Sequence, residues 1–124
     1  MAHFDSQVEL ALSALTPLRH SLDRWLERCG IGEARRTPLV LATHEAVANA
    51  IQHANATRPV CVRGEAVDDS VVIEVRDNGR WKPPDYYPSV ERGRGLTMIR
   101  SLVSEAAVDT GPDGTLVRLK QTAV

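Results

Sequence analysis

Two valine-rich segments joined by a short polar stretch constrain the fold of this chain most strongly. The segments RPVCVRGEAVD and SVVIEVRD are rich in β-branched residues and partly alternate between apolar and polar side chains, which favours strands. The residues DDS at their junction are typical of a hairpin turn. A second pair, AAVDT and TLVRLKQ, flanks the turn residues GPDG. The sequence therefore predicts four strands arranged as two antiparallel hairpins.

Three further segments have the apolar spacing of helices. PLRHSLDRWLERCG carries one apolar stripe and ends in glycine, which predicts a helix over about residues 16–29. A second helix is predicted over about residues 36–54, where Thr37 and Pro38 resemble a cap followed by a first-turn proline. LTMIRSLV predicts a short third helix, and FDSQVEL is a candidate edge strand. We therefore expect a single domain over residues 1–124. Its fold class would be α+β, a two-layer sandwich in which helices cover one face of a mostly antiparallel sheet.

Charge and composition exclude several classes of function. The formal net charge of −1 gives no electrostatic reason to expect nucleic acid or an anionic membrane as partner. No apolar run approaches the roughly 20 residues of a membrane span, and MAHFDSQVEL lacks the basic start and apolar middle of a signal peptide. Cys29 and Cys61 are too few for a disulfide framework or a spaced zinc site. We therefore expect two reduced thiols and a cytoplasmic location.

The segment HEAVANAIQHA, in the second predicted helix, places three polar residues on one line. Glu45, Asn49 and His53 follow one another at intervals of four, so at about 100° per residue they span only about 80° of the helix surface. Such a line is either the solvated face of an amphipathic helix or part of a site. Alanines flank it, and such small neighbours would let a ligand approach closely. A carboxamide oxygen suits Mg²⁺, and a carboxylate beside it can orient or deprotonate an attacking hydroxyl.

Two later segments combine glycine with charged residues at the ends of predicted elements. VVIEVRDNG ends in Asp77, which is either turn chemistry alone or an acceptor for a ligand amine, with Gly79 admitting the flat face of that ligand. In ERGRGLTMIRSLV, Gly93 and Gly95 flank Arg94 before a helix, where backbone N–H groups can bind an anion. The segment is not a Walker loop, because no Gly-Lys-Ser/Thr follows. It is not a Rossmann turn either, because a long loop precedes it.

In this order, the three segments resemble the ATP-binding fold shared by histidine kinases, gyrase, Hsp90 and MutL. HEAVANAIQHA resembles the N box of that fold, DNGRW its G1 box and GRGLTMI its G2 box. The small size of the chain and the closing strand GTLVRL are most similar to the anti-sigma-factor serine/threonine kinases of the RsbW/SpoIIAB kind. The resemblance covers roughly residues 15–121.

The resemblance implies roles for individual residues. Glu45 would act as the general base or assist it, and Asn49 would hold Mg²⁺. Asp77 would bind the adenine amino group, with Gly79 beside the ring. The role of His53 stays open. The residues implied to line the phosphates are Gly93, Arg94, Gly95 and Leu96.

The resemblance also implies ATP and Mg²⁺ as cofactors and a partner-switching function. The chain would hold a sigma factor inactive and would phosphorylate a STAS-type anti-sigma-factor antagonist on Ser or Thr. A homodimer is also expected. Two features depart from the family pattern. Trp81 stands where a second glycine is common, and the lid-like loop from Asn78 to Gly95, although long for an ordinary connection, is short for a lid that covers phosphates. The alternatives are therefore a nucleotide-binding module without kinase activity, or a kinase domain that belongs to a larger sigma-factor regulator.

Overall fold

The chain folds into one antiparallel sheet of five strands in the computed structural model, which describes residues 3–79 and 97–123. The strands are β1 (His3–Val8), β2 (Val60–Val67), β3 (Ser70–Asp77), β4 (Glu105–Gly111) and β5 (Gly114–Thr122). Their order in the sheet is β1-β2-β3-β5-β4. The helices are α1 (Leu15–Arg28), preceded by a 3-10 turn over Leu12–Ala14, α2 (Glu33–His53) and α3, whose described helical residues are 97–102. This is the predicted α+β sandwich, and the candidate edge strand is confirmed as β1.

Alternation along the strands gives the sheet one buried and one exposed face. In β3, Val71, Ile73 and Val75 are buried, and in β5 Val117 and Leu119 lie directly opposite the last two of them. The helices cover this face, so aliphatic side chains form the core. The other face carries charges that alternate in sign across four neighbouring strands: Asp5, Arg63, Glu74 and Arg118.

Helix α2 packs against the sheet mainly through small side chains. Alanines at a packing face let a helix lie close to its neighbour, because the distance between elements depends on the side chains at the contact. Ala42, Ala46 and Ala50 are at most 1% exposed. The interpretation that the alanines beside the polar line make room for a ligand is therefore wrong for these three residues, which face the core.

The start of α2 differs from the prediction. The helix begins at Glu33, and the carbonyl of Gly32 accepts hydrogen bonds from Arg35 and Arg36 at 3.0 and 2.8 Å. The predicted cap at Thr37 is therefore wrong, and Pro38 lies inside the helix.

A long-range contact explains the earlier start. The Arg36 guanidinium donates to the Asp23 carboxylate of α1 at 2.8 Å and to the carbonyl of Ile31 at 2.7 Å. These bonds hold the first turn of α2 against α1, so the helix forms ahead of the proline. By contrast, α1 ends at Arg28, within one residue of the predicted end, and the predicted stop residue Gly30 follows with a left-handed φ of 84° and donates its N–H to the carbonyl of Glu27 at 2.9 Å.

Cys29 and Cys61 are not joined in a disulfide in the part of the chain that the structure describes. Burial raises the pKa of the Cys29 thiol, an effect that the charge of Arg28 partly offsets. Within the described part of the chain, no helix has the length and apolar character needed to cross a bilayer.

Replacement of Gly64 tests the packing between α1 and the sheet. A Cβ at this position would lie 2.9 Å from both the Trp25 ring and the Ile73 side chain, and the Trp25 ring also packs on Phe4 with centroids 5.6 Å apart. We expect Gly64→Val to lower the free energy of unfolding by about 1–3 kcal/mol, because a filled core resists added methyl groups. Urea denaturation followed by far-UV circular dichroism measures the change.

The matched control is Gly111→Ala, since no atom lies within 4 Å of a Cβ built there. Its free energy of unfolding should stay within about 0.5 kcal/mol of the parent. Equal losses in the two variants would contradict the packing described for Gly64.

Candidate functional site

The end of β3 places a carboxylate on the helix-covered face of the sheet. Asp77 continues the alternation of Ile73 and Val75 and is only 5% exposed. Its Oδ1 accepts the backbone N–H of Gly79 at 2.9 Å, which closes the turn predicted from Asp-Asn-Gly. A carboxylate has about four lone-pair positions, so Asp77 has the capacity to accept a ligand donor in addition to this bond.

The turn after β3 lies directly against the end of α2. A Cβ on Gly79 would collide with the carbonyl group of Ala54 and would lie 2.8 Å from the backbone nitrogen of Ala56. Glycine is therefore required here by a contact between two backbone segments, with or without a ligand. The predicted place of Gly79 beside a bound adenine ring stays a prediction.

The polar line of α2 lies at the boundary between core and solvent. Glu45 and Asn49 are half-buried, and His53, the last residue of the helix, is exposed. Glu45 and Asn49 therefore sit beside the buried face of α2, the face that packs on the sheet carrying Asp77. The remaining predicted site residues, together with Trp81, lie outside the described residues: Gly93, Arg94, Gly95 and Leu96.

Thr115 of β5 is a candidate site residue that the sequence-based reasoning missed. It is paired directly opposite Asp77, so both side chains point to the same face of the sheet. Thr115 is 2% exposed, and its Oγ1 has no hydrogen-bond partner among the described residues. An unpaired buried hydroxyl costs about 1–3 kcal/mol. The register of GTLVRL against VVIEVRD was the signal that could have located it.

The unpaired hydroxyl fits a ligand with a polar edge. A flat heterocycle with an amino group could donate to Asp77 and complete the hydrogen bond of Thr115 at the same corner of the sheet. The residues present therefore suit a nucleotide base.

Within residues 3–79 and 97–123, no three His, Cys, Asp or Glu side chains cluster as metal ligands. Mg²⁺ uses one or two protein ligands together with phosphates and water, so Asn49 fits a metal that arrives with a nucleotide.

A cavity of about 570 Å³ lies at the same strand ends. Its lining includes residues of the candidate site as well as residues that alternation places on the exposed face of the sheet: Asp77, Asn78, Thr115, Cys61, Arg76 and Asp109. Neither Glu45 nor Asn49 contributes to its lining. The candidate site is the corner where the buried carboxylate of Asp77 and the unpaired hydroxyl of Thr115 converge, at the boundary of this cavity.

Comparison with known proteins shows the family to which the chain belongs. Residues 8–121 match the family model of the histidine kinase-like ATPase domain, and the chain belongs to this family. The RsbU and RsbW domains of Rv1364c from Mycobacterium tuberculosis are 27% identical with a TM-score of 0.82, over 98% of this chain and 32% of that one. A blue-light activated histidine kinase, EL346 of Erythrobacter litoralis, is 27% identical with a TM-score of 0.62, over 75% and 32%.

A curated relative shows the same class of domain inside a larger protein. The signal transduction histidine-protein kinase/phosphatase UhpB of Salmonella typhimurium is 31% identical over 83 residues, which are 67% of this chain and 16% of that protein. The chain thus spans about a third or less of these relatives. The resemblance to the histidine-kinase-like ATPase fold and its RsbW-like members is confirmed. An ATPase domain implies that the chain binds ATP.

Replacement of Thr115 tests whether its hydroxyl is left for a ligand. We expect Thr115→Val to leave the free energy of unfolding of the ligand-free protein unchanged or to raise it, because the variant removes a buried group that has no partner among the described residues. Thermal or urea denaturation without nucleotide measures the change.

The matched control is Thr43→Val, at a second buried threonine. The Thr43 hydroxyl donates to the carbonyl of Leu39 at 2.8 Å, so its loss should cost about 1 kcal/mol. A larger loss for Thr115→Val than for Thr43→Val would show that the Thr115 hydroxyl is already paired in the folded protein.

Proposed function

We propose that this chain is an ATP-binding anti-sigma factor that sequesters a sigma factor and phosphorylates a STAS-type anti-sigma-factor antagonist on Ser or Thr. The proposal depends most on one observation, the match of 98% of the chain, at a TM-score of 0.82, to a structure that contains an RsbW domain. The resemblance of the three motifs to the N, G1 and G2 boxes of RsbW-like kinases supports it independently.

In this proposal the corner between β3 and β5 binds the adenine base. The exocyclic amino group of adenine donates to the carboxylate of Asp77, and Thr115 offers its hydroxyl to the ring edge beside it. Both side chains are almost fully buried, so these hydrogen bonds form away from competing water. The phosphates then extend toward Asn49 of α2. The resemblance assigns further phosphate contacts to residues outside the described part of the chain: Gly93, Arg94, Gly95 and Leu96.

The phosphoryl transfer would depend on the polar line of α2. Asn49 would hold Mg²⁺, which when bound neutralises charge on the phosphates. Glu45 lies one helical turn away on the same side and is half-buried, so the hydroxyl of a docked protein can reach its carboxylate. Glu45 accepts the proton of that hydroxyl as the oxygen attacks the γ-phosphorus in line, while the bond from the γ-phosphorus to the β,γ-bridging oxygen breaks and ADP leaves.

A second candidate function is that of the ATPase part of a larger histidine kinase or sigma-factor regulator. The observation that favours it is the coverage of the relatives, since the chain corresponds to 16% of UhpB and 32% of the EL346 kinase chain. The chemistry of the phosphorylated product separates a histidine kinase from a serine/threonine kinase. Phosphoserine and phosphothreonine survive acid treatment, whereas phosphohistidine is hydrolysed.

A phosphoryl-transfer assay tests the leading proposal. Purified chain is incubated with labelled ATP, Mg²⁺ and STAS-domain proteins from the same genome, each with its acceptor serine or threonine intact. We expect acid-stable label on one of them, and we expect Glu45→Gln to slow its appearance by at least about a hundredfold, since proton transfer by a placed carboxylate contributes on that scale. ATP affinity should change less than about twofold, because Glu45 acts on the acceptor.

The matched control is Glu74→Gln, which alters a carboxylate on the exposed face of β3, away from α2. Its transfer rate should equal that of the parent chain. No transfer to any antagonist, or acid-labile label alone, would contradict the serine/threonine kinase half of the proposal. Gel filtration of the chain with sigma factors from the same genome, in ATP and in ADP, tests the sequestration half.

The role of Asp77 is tested by nucleotide binding. We expect Asp77→Asn to weaken ATP binding by about tenfold to a hundredfold, the effect of losing a charged hydrogen-bond acceptor. Isothermal calorimetry measures the affinity, with circular dichroism as the check on folding. Asp109→Asn on the exposed face of β4 is the control and should bind ATP as the parent does. An unchanged affinity in Asp77→Asn would place the base elsewhere.

A further inference from the structure

The segment that joins α2 to β2 is short and mostly exposed. Ala54 closes the helix, and Asn55 turns the chain with a left-handed φ of 53°. Asn55, Thr57 and Arg58 are exposed, so little apolar packing holds this segment in place. Besides the contact of Gly79 with Ala54 and Ala56, its position depends on specific hydrogen bonds, because a connection with little packing or bonding moves easily.

Asn78 provides those hydrogen bonds. Its Oδ1 accepts the backbone N–H groups of Thr57 and Arg58 at 3.0 and 3.2 Å. Its Nδ2 donates to the Thr57 hydroxyl at 2.8 Å. The two backbone N–H groups can only donate, so the orientation of the carboxamide is fixed by its partners. One side chain thus bonds to two consecutive backbone groups and to a neighbouring hydroxyl.

Asn78 lies between two residues that also belong to the candidate site. Asp77 precedes it, and Gly79 follows it with its N–H bonded to the Asp77 carboxylate. Gly79 in turn lies against the backbone of Ala54 and Ala56. The turn over residues 77–79 therefore contains the proposed acceptor of the base, Asp77, and also contacts the end of α2 through Gly79.

The two ends of a bound nucleotide would contact two different elements, α2 and the sheet. α2 is continuous from Glu33 to His53, so Asn49 moves with the end of the helix. Asp77 belongs to the central strand β3 and moves with the sheet. We propose that Asn78 is a positioning residue: by tying the connection that follows α2 to the end of β3, it helps to set the separation between Asn49 and Asp77. This inference rests on the proposed function, in which both residues contact one nucleotide.

The test uses two ligands that differ in how much of the site they span. Adenosine contacts the base corner alone, whereas ATP with Mg²⁺ also reaches Asn49. We expect Asn78→Ala to weaken ATP·Mg²⁺ by about fivefold to tenfold, the effect of one or two lost hydrogen bonds, and adenosine by less than about twofold. A purely structural role would change both affinities alike.

Thr57→Val supplies a second variant on an exposed residue, where the fold is not at risk. It removes only the bond between Nδ2 of Asn78 and the hydroxyl, so we expect a smaller shift in the same direction. Thr110→Val, at an exposed threonine of β4, is the matched control and should leave both affinities unchanged. Hydrogen exchange of the Thr57 and Arg58 amides should accelerate in Asn78→Ala, which checks the tie without any nucleotide.

The outcomes distinguish a failure of the positioning role from a failure of the proposed function. If the parent chain binds neither ATP nor adenosine, the proposed function fails and the positioning role fails with it. If the parent binds both, equal weakening of the two ligands in Asn78→Ala and Thr57→Val, or no weakening, overturns the positioning role and leaves the proposed function standing. Unchanged exchange of the two amides in Asn78→Ala would overturn the tie itself.

Discussion

The candidate site depends on a contact between two backbone segments, the end of α2 and the turn after β3. Gly79 allows this contact because a Cβ there would occupy the position of the Ala54 carbonyl. The helix carries Glu45 and Asn49, and the strand carries Asp77, so the contact joins the two walls of the site at one corner. The buried alanines of α2 have the same effect along the rest of the helix, since their small side chains let it lie close to the sheet.

The buried polar groups of β5 show where the fold leaves bonding capacity for a ligand. Gln121 is 3% exposed and fully used: its Nε2 donates to the carbonyls of Arg35 and Leu102, and its Oε1 accepts from the backbone and the hydroxyl of Ser104. It thereby ties the start of α2 to the end of α3. Thr115, on the same face of β5, has no such partner among the described residues. The unsatisfied group lies beside Asp77, at the end of the sheet proposed to bind a nucleotide.

Local patterns were sufficient to predict most of the architecture. Alternation of valines with polar residues predicted β2 and β3, helical spacing predicted α1, and turn residues predicted both hairpins, because each signal depends on near neighbours. The start of α2 was predicted wrongly, since it depends on the contact of Arg36 with Asp23, thirteen residues away in the sequence. The sequence of the helix alone could not predict that Ala42, Ala46 and Ala50 face the core, because this depends on where the sheet lies.

The site residues likewise fall into those that local patterns predicted and those that depend on tertiary structure. Asp77 was singled out from its place at a strand end, and the line of Glu45 and Asn49 from helical spacing. Thr115 and the bonding of Asn78 depend on strand register and on a tertiary contact, which no single segment contains. The predicted phosphate-binding residues Gly93, Arg94, Gly95 and Leu96 lie outside the described residues and stay predictions.

The structure of the chain with a non-hydrolysable ATP analogue and Mg²⁺ tests the central claim most directly. We expect the adenine amino group within hydrogen-bond distance of Asp77, the Thr115 hydroxyl bonded to the ring edge directly or through one water, and the metal against the carboxamide oxygen of Asn49. A nucleotide whose base lies instead against Arg58 and Arg76, with no hydrogen bond to Asp77, would contradict the assignment of the site.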